Sequence, residues 1–107
     1  MNYMELEKVL KTYLPMTETM YYILLSLRER RHGYGIMLHV EEITNKRIKI
    51  GAGTIYNSLS KLERDKLVAV VEEQDRRKIY EISDLGKQVL DKEILRLEEL
   101  YNNGMRK

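Results

Sequence analysis

The chain of 107 residues contains no cysteine, no tryptophan and no phenylalanine, and Pro15 is its single proline. Without cysteine, disulfides, thiolate metal sites and cysteine nucleophiles are excluded. Eight tyrosines supply every aromatic ring, so each large ring in the core carries a hydroxyl that needs a partner or water. No apolar run approaches the ~20 residues that cross a bilayer, and the first residues lack the apolar core of a signal peptide. We therefore expect a cytoplasmic protein of one domain.

The sequence offers little for catalysis or metal binding. His32 and His39 lie seven residues apart, not the three or four that place two ligands side by side on a helix. Gly51 and Gly53 lack the rest of a phosphate-binding loop, and no arrangement of Ser, His and Asp is legible. We expect no enzymatic activity, no metal site and no cofactor.

The net charge of +2 is small, but the charges are distributed unevenly. Residues 44–66 contain six basic and two acidic side chains, net +4, whereas residues 84–103 contain three basic and five acidic ones, net −2. This asymmetry suits a nucleic acid at one side of the molecule. Two ordinary solvated faces explain it equally well.

Apolar residues at spacings of three and four predict five helices. Pro15 separates the first two, because proline cannot lie inside a helix. Thr17 is a suitable N-cap for the second helix, which we expect Gly33 to end. The apolar residues of the five helices are Tyr3, Leu6, Leu10 and Tyr13; Met20, Ile23, Leu24 and Leu27; Ile36, Val40 and Ile43; Ile55, Leu59 and Leu62; and Leu90, Ile94, Leu97 and Tyr101.

Alternating residues predict the strands. Ile48–Ile50 predicts a short strand before a turn at Gly51–Gly53, and Val68–Glu73 with Arg77–Ile82 predicts a hairpin around residues 74–76. Ser83 is a suitable N-cap for the last helix. The fold class is therefore mostly α with a small β wing: a winged helix-turn-helix unit at residues 16–83, an N-terminal helix at 1–14 and a C-terminal helix at 84–107.

The helix predicted from Thr54 to Lys66 is a candidate recognition helix. Its outer face is polar and mildly basic with short side chains near its start, which suits the DNA major groove. Asn57 can pair with adenine, and Lys61 and Arg64 can reach guanine or phosphate. An ordinary amphipathic surface helix has the same pattern. The candidate DNA contacts in this region are Thr54, Tyr56, Asn57, Ser60, Lys61 and Arg64, with Lys49 ahead of the helix.

The tip of the predicted hairpin carries three adjacent bases, Arg76, Arg77 and Lys78. They are placed for contacts to phosphates or to the minor groove. The alternative is a solubilising turn that protects an edge strand.

The two terminal helices have apolar seams that favour a dimer. A helix with Leu90, Ile94, Leu97 and Tyr101 on one side must bury that side, and a domain of this size has little core to offer. A second copy would cover it with two-fold symmetry, aided by Leu6, Leu10 and Tyr13 of the first helix. The alternative is that the seams pack on the chain's own core.

Three segments resemble the PadR-like transcriptional regulators, specifically the small members with one C-terminal helix. They are HGYGIML at 32–38, GTIYNSLSKLERDKLV at 53–68 and DRRKIYEISDLG at 75–86. Family sequences carry H-G-Y-x-I, then G-T-[LI]-Y-x-x-L-x-x-L-E-x-x-G-L-[IV], then R-[RK]-x-Y-x-[IL]-[ST]-x-x-G. Two positions depart from this pattern: Asn57 replaces a frequent proline, and Lys66 replaces the usual glycine.

The resemblance implies a homodimer that binds double-stranded DNA at a pseudo-palindromic operator and represses transcription. The C-terminal helix would form the dimer with help from the N-terminal one. Some small members hold flat aromatic ligands between their C-terminal helices with a tryptophan; this chain has Leu97 near that place, and a small-molecule inducer stays unidentified. No membrane partner is expected. The alternative is a winged-helix module that binds protein and not DNA.

Overall fold

The computed structural model describes residues 3–106. Within them lie five helices and one antiparallel two-stranded sheet. The elements are α1 (Tyr3–Tyr13), α2 (Glu18–Ser26), α3 (Gly33–Ile43), α4 (Ala52–Arg64), β1 (Val68–Gln74), β2 (Arg77–Ile82) and α5 (Asp84–Met105). Helices α2 to α4 followed by the β1–β2 hairpin form a winged helix-turn-helix unit, with α1 and α5 as additions. The predicted fold class is confirmed.

The core forms where the inward stripes of α2, α3 and α4 meet. The stripes predicted from the apolar spacing supply it, except Ile43, which is 44% exposed at the end of α3, and the hairpin and the first half of α5 close it. Its fully buried members include Ile23, Leu24, Leu27, Ile36, Val40, Ile55, Leu59, Leu62, Val89 and Leu90.

Two predictions for the segment before α4 are wrong, a strand and a turn. Ile48–Ile50 alternates between inside and outside as expected but is not a strand. Its backbone has a local partner instead, because the Ile48 N–H donates to the Thr44 hydroxyl at 3.2 Å. Gly51–Gly53 is not a separate turn: Gly51 is the N-cap of α4, and the helix begins at Ala52.

Gly33 does not end α2, as the sequence suggested, but begins α3. A methyl group at this position would lie 2.8 Å from the ring of Tyr56 on α4. The glycine therefore serves close packing between two helices and not a helix C-cap. Helix α2 ends at Ser26, and Arg31 beyond it exchanges two backbone hydrogen bonds with Tyr80 of β2.

The wing is a tight hairpin as predicted. Val68 pairs with Ile82 and Gln74 with Arg77, with one irregularity between Val70 and Glu72. The two turn residues between the strands, Asp75 and Arg76, both have positive φ, 50° and 65°. That is the left-handed geometry that two-residue hairpins require. Lys66, where related sequences have glycine, also has a φ of 65°.

Helix α5 is anchored at its start and in its middle. The Ser83 hydroxyl accepts from the Gly86 N–H at 3.0 Å, as its predicted capping role requires. Glu93 is 1% exposed and accepts from the Met16 N–H at 2.8 Å and from Arg96. The Arg96 bond, with the Met16 N–H, lowers the pKa of Glu93 despite its burial.

Within residues 3–106 no helix has the length and apolar character needed to span a membrane.

Gly86→Ala should destabilise the protein. The added methyl group would collide with the Leu67 carbonyl oxygen, which the Ser83 N–H holds in place. Overpacking of this kind costs about 1–3 kcal/mol of the free energy of unfolding, measured by urea denaturation.

Gly104→Ala is the matched control for Gly86→Ala, because a methyl group there meets nothing within 4 Å in the same helix. It should gain up to about 1 kcal/mol from helix propensity. Equal unfolding free energies for the two variants would contradict the packing described at Gly86.

Candidate nucleic-acid interface

The outer face of α4 is free of protein contacts along most of its length. Because Ile55, Leu59 and Leu62 are buried, the opposite side faces solvent. The predicted contacts exposed on α4 are Thr54, Tyr56, Asn57, Ser60 and Arg64, and Glu63 is exposed beside them. Around Gly51 and Gly53 a Cβ would meet nothing within 4 Å, so the first turn of α4 is unobstructed.

The wing lies next to this face. A cleft of about 450 Å³ separates α4 from the hairpin, and the bases of the wing tip line one of its walls. Tyr56 and Ser60 line the wall formed by α4. The full lining is His32, Tyr56, Ser60, Arg76, Arg77, Lys78 and Tyr80. The structure therefore brings two of the predicted helix contacts, Tyr56 and Ser60, together with the three predicted wing bases around one cleft.

The position of the Tyr56 ring is determined by its contact with Gly33. The ring lies where a side chain at Gly33 would be, with three ring and hydroxyl atoms at 2.8 Å from that position. Tyr56 as a whole remains 49% exposed, at the cleft. This contact joins the H-G-Y and G-T-I-Y segments, which are far apart in the sequence.

Lys61 lies at the flank of α4 and not at the centre of its outer face. Its ammonium nitrogen is 5.0 Å from the centroid of the Tyr13 ring, and its side chain is half-buried. The Tyr13 hydroxyl donates to Asp65 Oδ2 at 2.7 Å. Burial, reinforced by the bond to Asp65, raises the pKa of Tyr13 far above the usual tyrosine range.

The loop before α4 contributes exposed bases. Lys49 is exposed, and the neighbouring Arg47 pairs with Glu18 at 2.6 Å, which ties this loop to the start of α2.

His32 is a further residue of this cleft that the sequence does not single out as a candidate contact. It lines the cleft, and its Nδ1 is buried without a hydrogen-bond partner within residues 3–106. Its place in the H-G-Y segment was the available signal.

The residues predicted for the dimer interface divide into two groups. Tyr13 and Leu90 lie in the chain's own core, and Leu6, Leu10 and Ile94 are partly buried against it. Leu97 and Tyr101 are 37% and 66% exposed, further along α5. The seam is thus covered by the protomer itself at its start and open towards its end.

One Ser–His contact exists, between Ser26 Oγ and His39 Nδ1 at 2.8 Å. The Ser26 hydroxyl also donates to the Tyr22 carbonyl at 2.7 Å. Ser26 is also buried beyond the reach of a substrate. Residues 3–106 contain no cluster of three or more His, Asp or Glu side chains that could hold a metal.

A winged helix-turn-helix unit with an open polar helix face beside a basic wing defines the class of winged-helix transcription factors. The model of the "Transcriptional regulator PadR-like family" matches residues 19–92. The chain belongs to this family, whose members are transcriptional regulators and not enzymes.

Solved structures share the fold. A PadR family regulator from Eggerthella lenta has a TM-score of 0.70 at 23% identity, covering 91% of this chain and 82% of that one. A PadR-like transcription factor from Bacteroides fragilis has a TM-score of 0.69 at 21% identity, covering 95% of both. Bacillus subtilis PadR in complex with operator DNA has a TM-score of 0.62 at 20% identity, covering 84% of this chain and 62% of that one.

A curated relative is the uncharacterized 37.1 kDa protein of transposon TN4556 from Streptomyces fradiae. It is 32% identical over 62 residues, which is 58% of this chain. The match spans only 17% of that relative's length.

Gly33→Ala should weaken binding to DNA with little change in stability. The new methyl group would push the Tyr56 ring, a side chain free to rotate into the cleft, out of its position on α4. DNA titrations followed by fluorescence anisotropy measure the effect, alongside thermal unfolding.

Gly35→Ala, in the same helix as Gly33, is the control for this variant, since its methyl group would meet only the Arg31 Cβ at 3.6 Å, an ordinary contact. Unchanged DNA affinity in Gly33→Ala would show that the position of Tyr56 does not matter for binding.

Proposed function

We propose that the protein is a homodimeric transcriptional repressor that binds a pseudo-palindromic operator. The observation that carries this proposal is the surface shared by α4 and the wing, where an open polar helix face and three exposed bases lie on either side of one cleft. A solved PadR bound to operator DNA has the same fold, which supports duplex DNA as the partner.

On this surface we assign different tasks to helix and wing. Asn57 projects from the middle of the exposed face of α4 and reads a base edge in the major groove. Arg76, Arg77 and Lys78 bind phosphates and fix the register of the protein on the duplex. Thr54, Tyr56, Ser60 and Arg64, with Lys49, complete the contact surface.

The dimer in this proposal forms through the second half of α5. Leu97, Leu100, Tyr101 and Met105 are all large, apolar and exposed, and they continue the stripe that Leu90 begins inside the core. Exposed apolar side chains concentrated on one helix mark an association site. The segments 1–14 and 84–107 then serve the dimer, and residues 16–83 form the DNA-binding unit.

Two-fold symmetry sets the form of the operator. Two copies of α4 enter the major groove on the same side of the duplex only where it faces the protein, about every 10 base pairs. The preferred site is then an inverted repeat with half-site centres roughly one helical turn apart.

Arg77→Ala and Asn57→Ala should affect DNA binding differently. Arg77→Ala should weaken all duplexes alike and lower the slope of log K against log salt by about 0.9, the loss of one phosphate contact. Asn57→Ala should cost about 1–3 kcal/mol on the best site only. Anisotropy titrations with a site selected from a random library, and with random duplex, over a salt series make the comparison.

Lys92→Ala is the control for these two variants, since it removes an exposed base from α5. An equal loss on random duplex for Asn57→Ala would show that Asn57 does not read sequence. A wild-type protein that retains no duplex even at low salt would overturn DNA binding and favour a protein-binding module.

Leu97→Glu combined with Leu100→Glu should convert the dimer to a monomer, because two buried carboxylates would face their copies across the interface. Light scattering at micromolar concentration gives the mass. Leu95→Glu is the matched control, since Leu95 is 58% exposed but lies on another side of α5. A monomeric wild type would refute the dimer.

A further inference from the structure

Tyr13 lies between two oppositely charged side chains at the end of α4. Lys61 and Asp65 are four residues apart, a spacing that brings side chains together on a helix. The ion pairs formed within residues 3–106 nevertheless do not include them. The Tyr13 hydroxyl donates to Asp65 Oδ2 at 2.7 Å, and the Tyr13 ring lies 5.0 Å from the Lys61 ammonium nitrogen.

The two contacts use different parts of the same side chain. The hydroxyl is protonated at physiological pH, as in any tyrosine, and it donates to Asp65. The electron-rich face of the ring attracts a cation. Tyr13 therefore supplies a hydrogen-bond donor for the Asp65 carboxylate and a ring face for the Lys61 ammonium group. Each charged group has a partner without an ion pair between the two.

We propose that Tyr13 is a positioning residue for DNA binding: its hydroxyl occupies Asp65 and its ring holds Lys61, so that the Lys61 ammonium is free to bind a DNA phosphate. The proposal rests on the proposed function. Lys61 lies at the flank of α4, on the side away from the wing cleft, where a neighbouring stretch of the DNA backbone would pass. A Lys61–Asp65 pair would neutralise this cation and place a carboxylate beside the phosphate.

Tyr13→Phe tests the proposal because it removes the hydroxyl and keeps the ring. Asp65 then loses its donor and pairs with Lys61. The expected result is a salt slope lower by about 0.9, one phosphate contact, with the same loss of affinity on the selected site and on random duplex. Urea unfolding of the same variant establishes that the protein is folded.

Tyr3→Phe is the matched control. It removes a tyrosine hydroxyl that donates to a carboxylate, Glu7 Oε1 at 2.9 Å, in the same helix but away from α4. Its salt slope should equal that of the wild type.

Two double variants separate positioning from a structural role. Adding Asp65→Asn to Tyr13→Phe removes the competing charge and should restore the wild-type salt slope. In a Lys61→Met background, Tyr13→Phe should have no further effect on the slope, since the contact on which it acts is gone.

The outcomes are distinguishable from failure of the proposed function. If the wild type binds duplex and Tyr13→Phe keeps its slope and affinity, the role of Tyr13 is wrong while DNA binding stands. If Tyr13→Phe lowers the affinity but leaves the salt slope unchanged, and adding Asp65→Asn does not restore the affinity, Tyr13 has only a structural role and the proposal is again wrong. A wild type that binds no duplex overturns both.

Discussion

The inward packing of α4 is the constraint on which the rest of the surface depends. Ile55, Leu59 and Leu62 are essentially excluded from solvent, and they fix the rotation of the helix about its own axis. A rotation that exposed them would forfeit roughly 1.5–3 kcal/mol for each side chain. Because this cost is large compared with any single polar contact, the side opposite the stripe must face outwards. The polar residues of α4 face solvent because their apolar neighbours are buried.

The absence of phenylalanine and tryptophan shapes how this packing is completed. Every ring brings a hydroxyl, and a buried hydroxyl without a partner costs free energy. The Tyr13 hydroxyl finds its partner in the carboxylate of Asp65, and this hydrogen bond connects α1 to the end of α4. Tyr56 avoids this cost in another way: its ring packs on Gly33, and about half of the residue remains exposed to solvent at the cleft. A core of phenylalanines would fill the same volume without these polar connections.

Most local features could be predicted from the sequence, with the Ile48–Ile50 strand and the Gly51–Gly53 turn as exceptions, and long-range ones could not. The caps at Thr17 and Ser83, the hairpin turn and most of the apolar stripes depend on neighbours within a few residues, and the structure contains them, whereas Ile43 and Tyr3 are exposed. The role of Gly33 depends on a ring 23 positions away, and the contact of Tyr13 lies 52 positions away. Periodicity shows that a side chain is buried but not which element buries it. The sequence therefore assigns Tyr13 to an apolar seam without deciding whether a second copy or the chain's own core covers it, and in the structure the core does.

The segment from Tyr13 to Met16 connects the helix proposed for the dimer with the helix proposed for DNA. At one end Tyr13 contacts Asp65 after α4, and at the other the Met16 N–H donates to Glu93 in α5. A buried carboxylate is costly unless it is paired and hydrogen-bonded, and Glu93 has both Arg96 and Met16 as partners. The position of α5 relative to α4 is therefore fixed inside each protomer, by contacts that need no second copy. In the proposed dimer, the separation of the two α4 helices follows from how the α5 helices meet, since little freedom remains between α5 and α4.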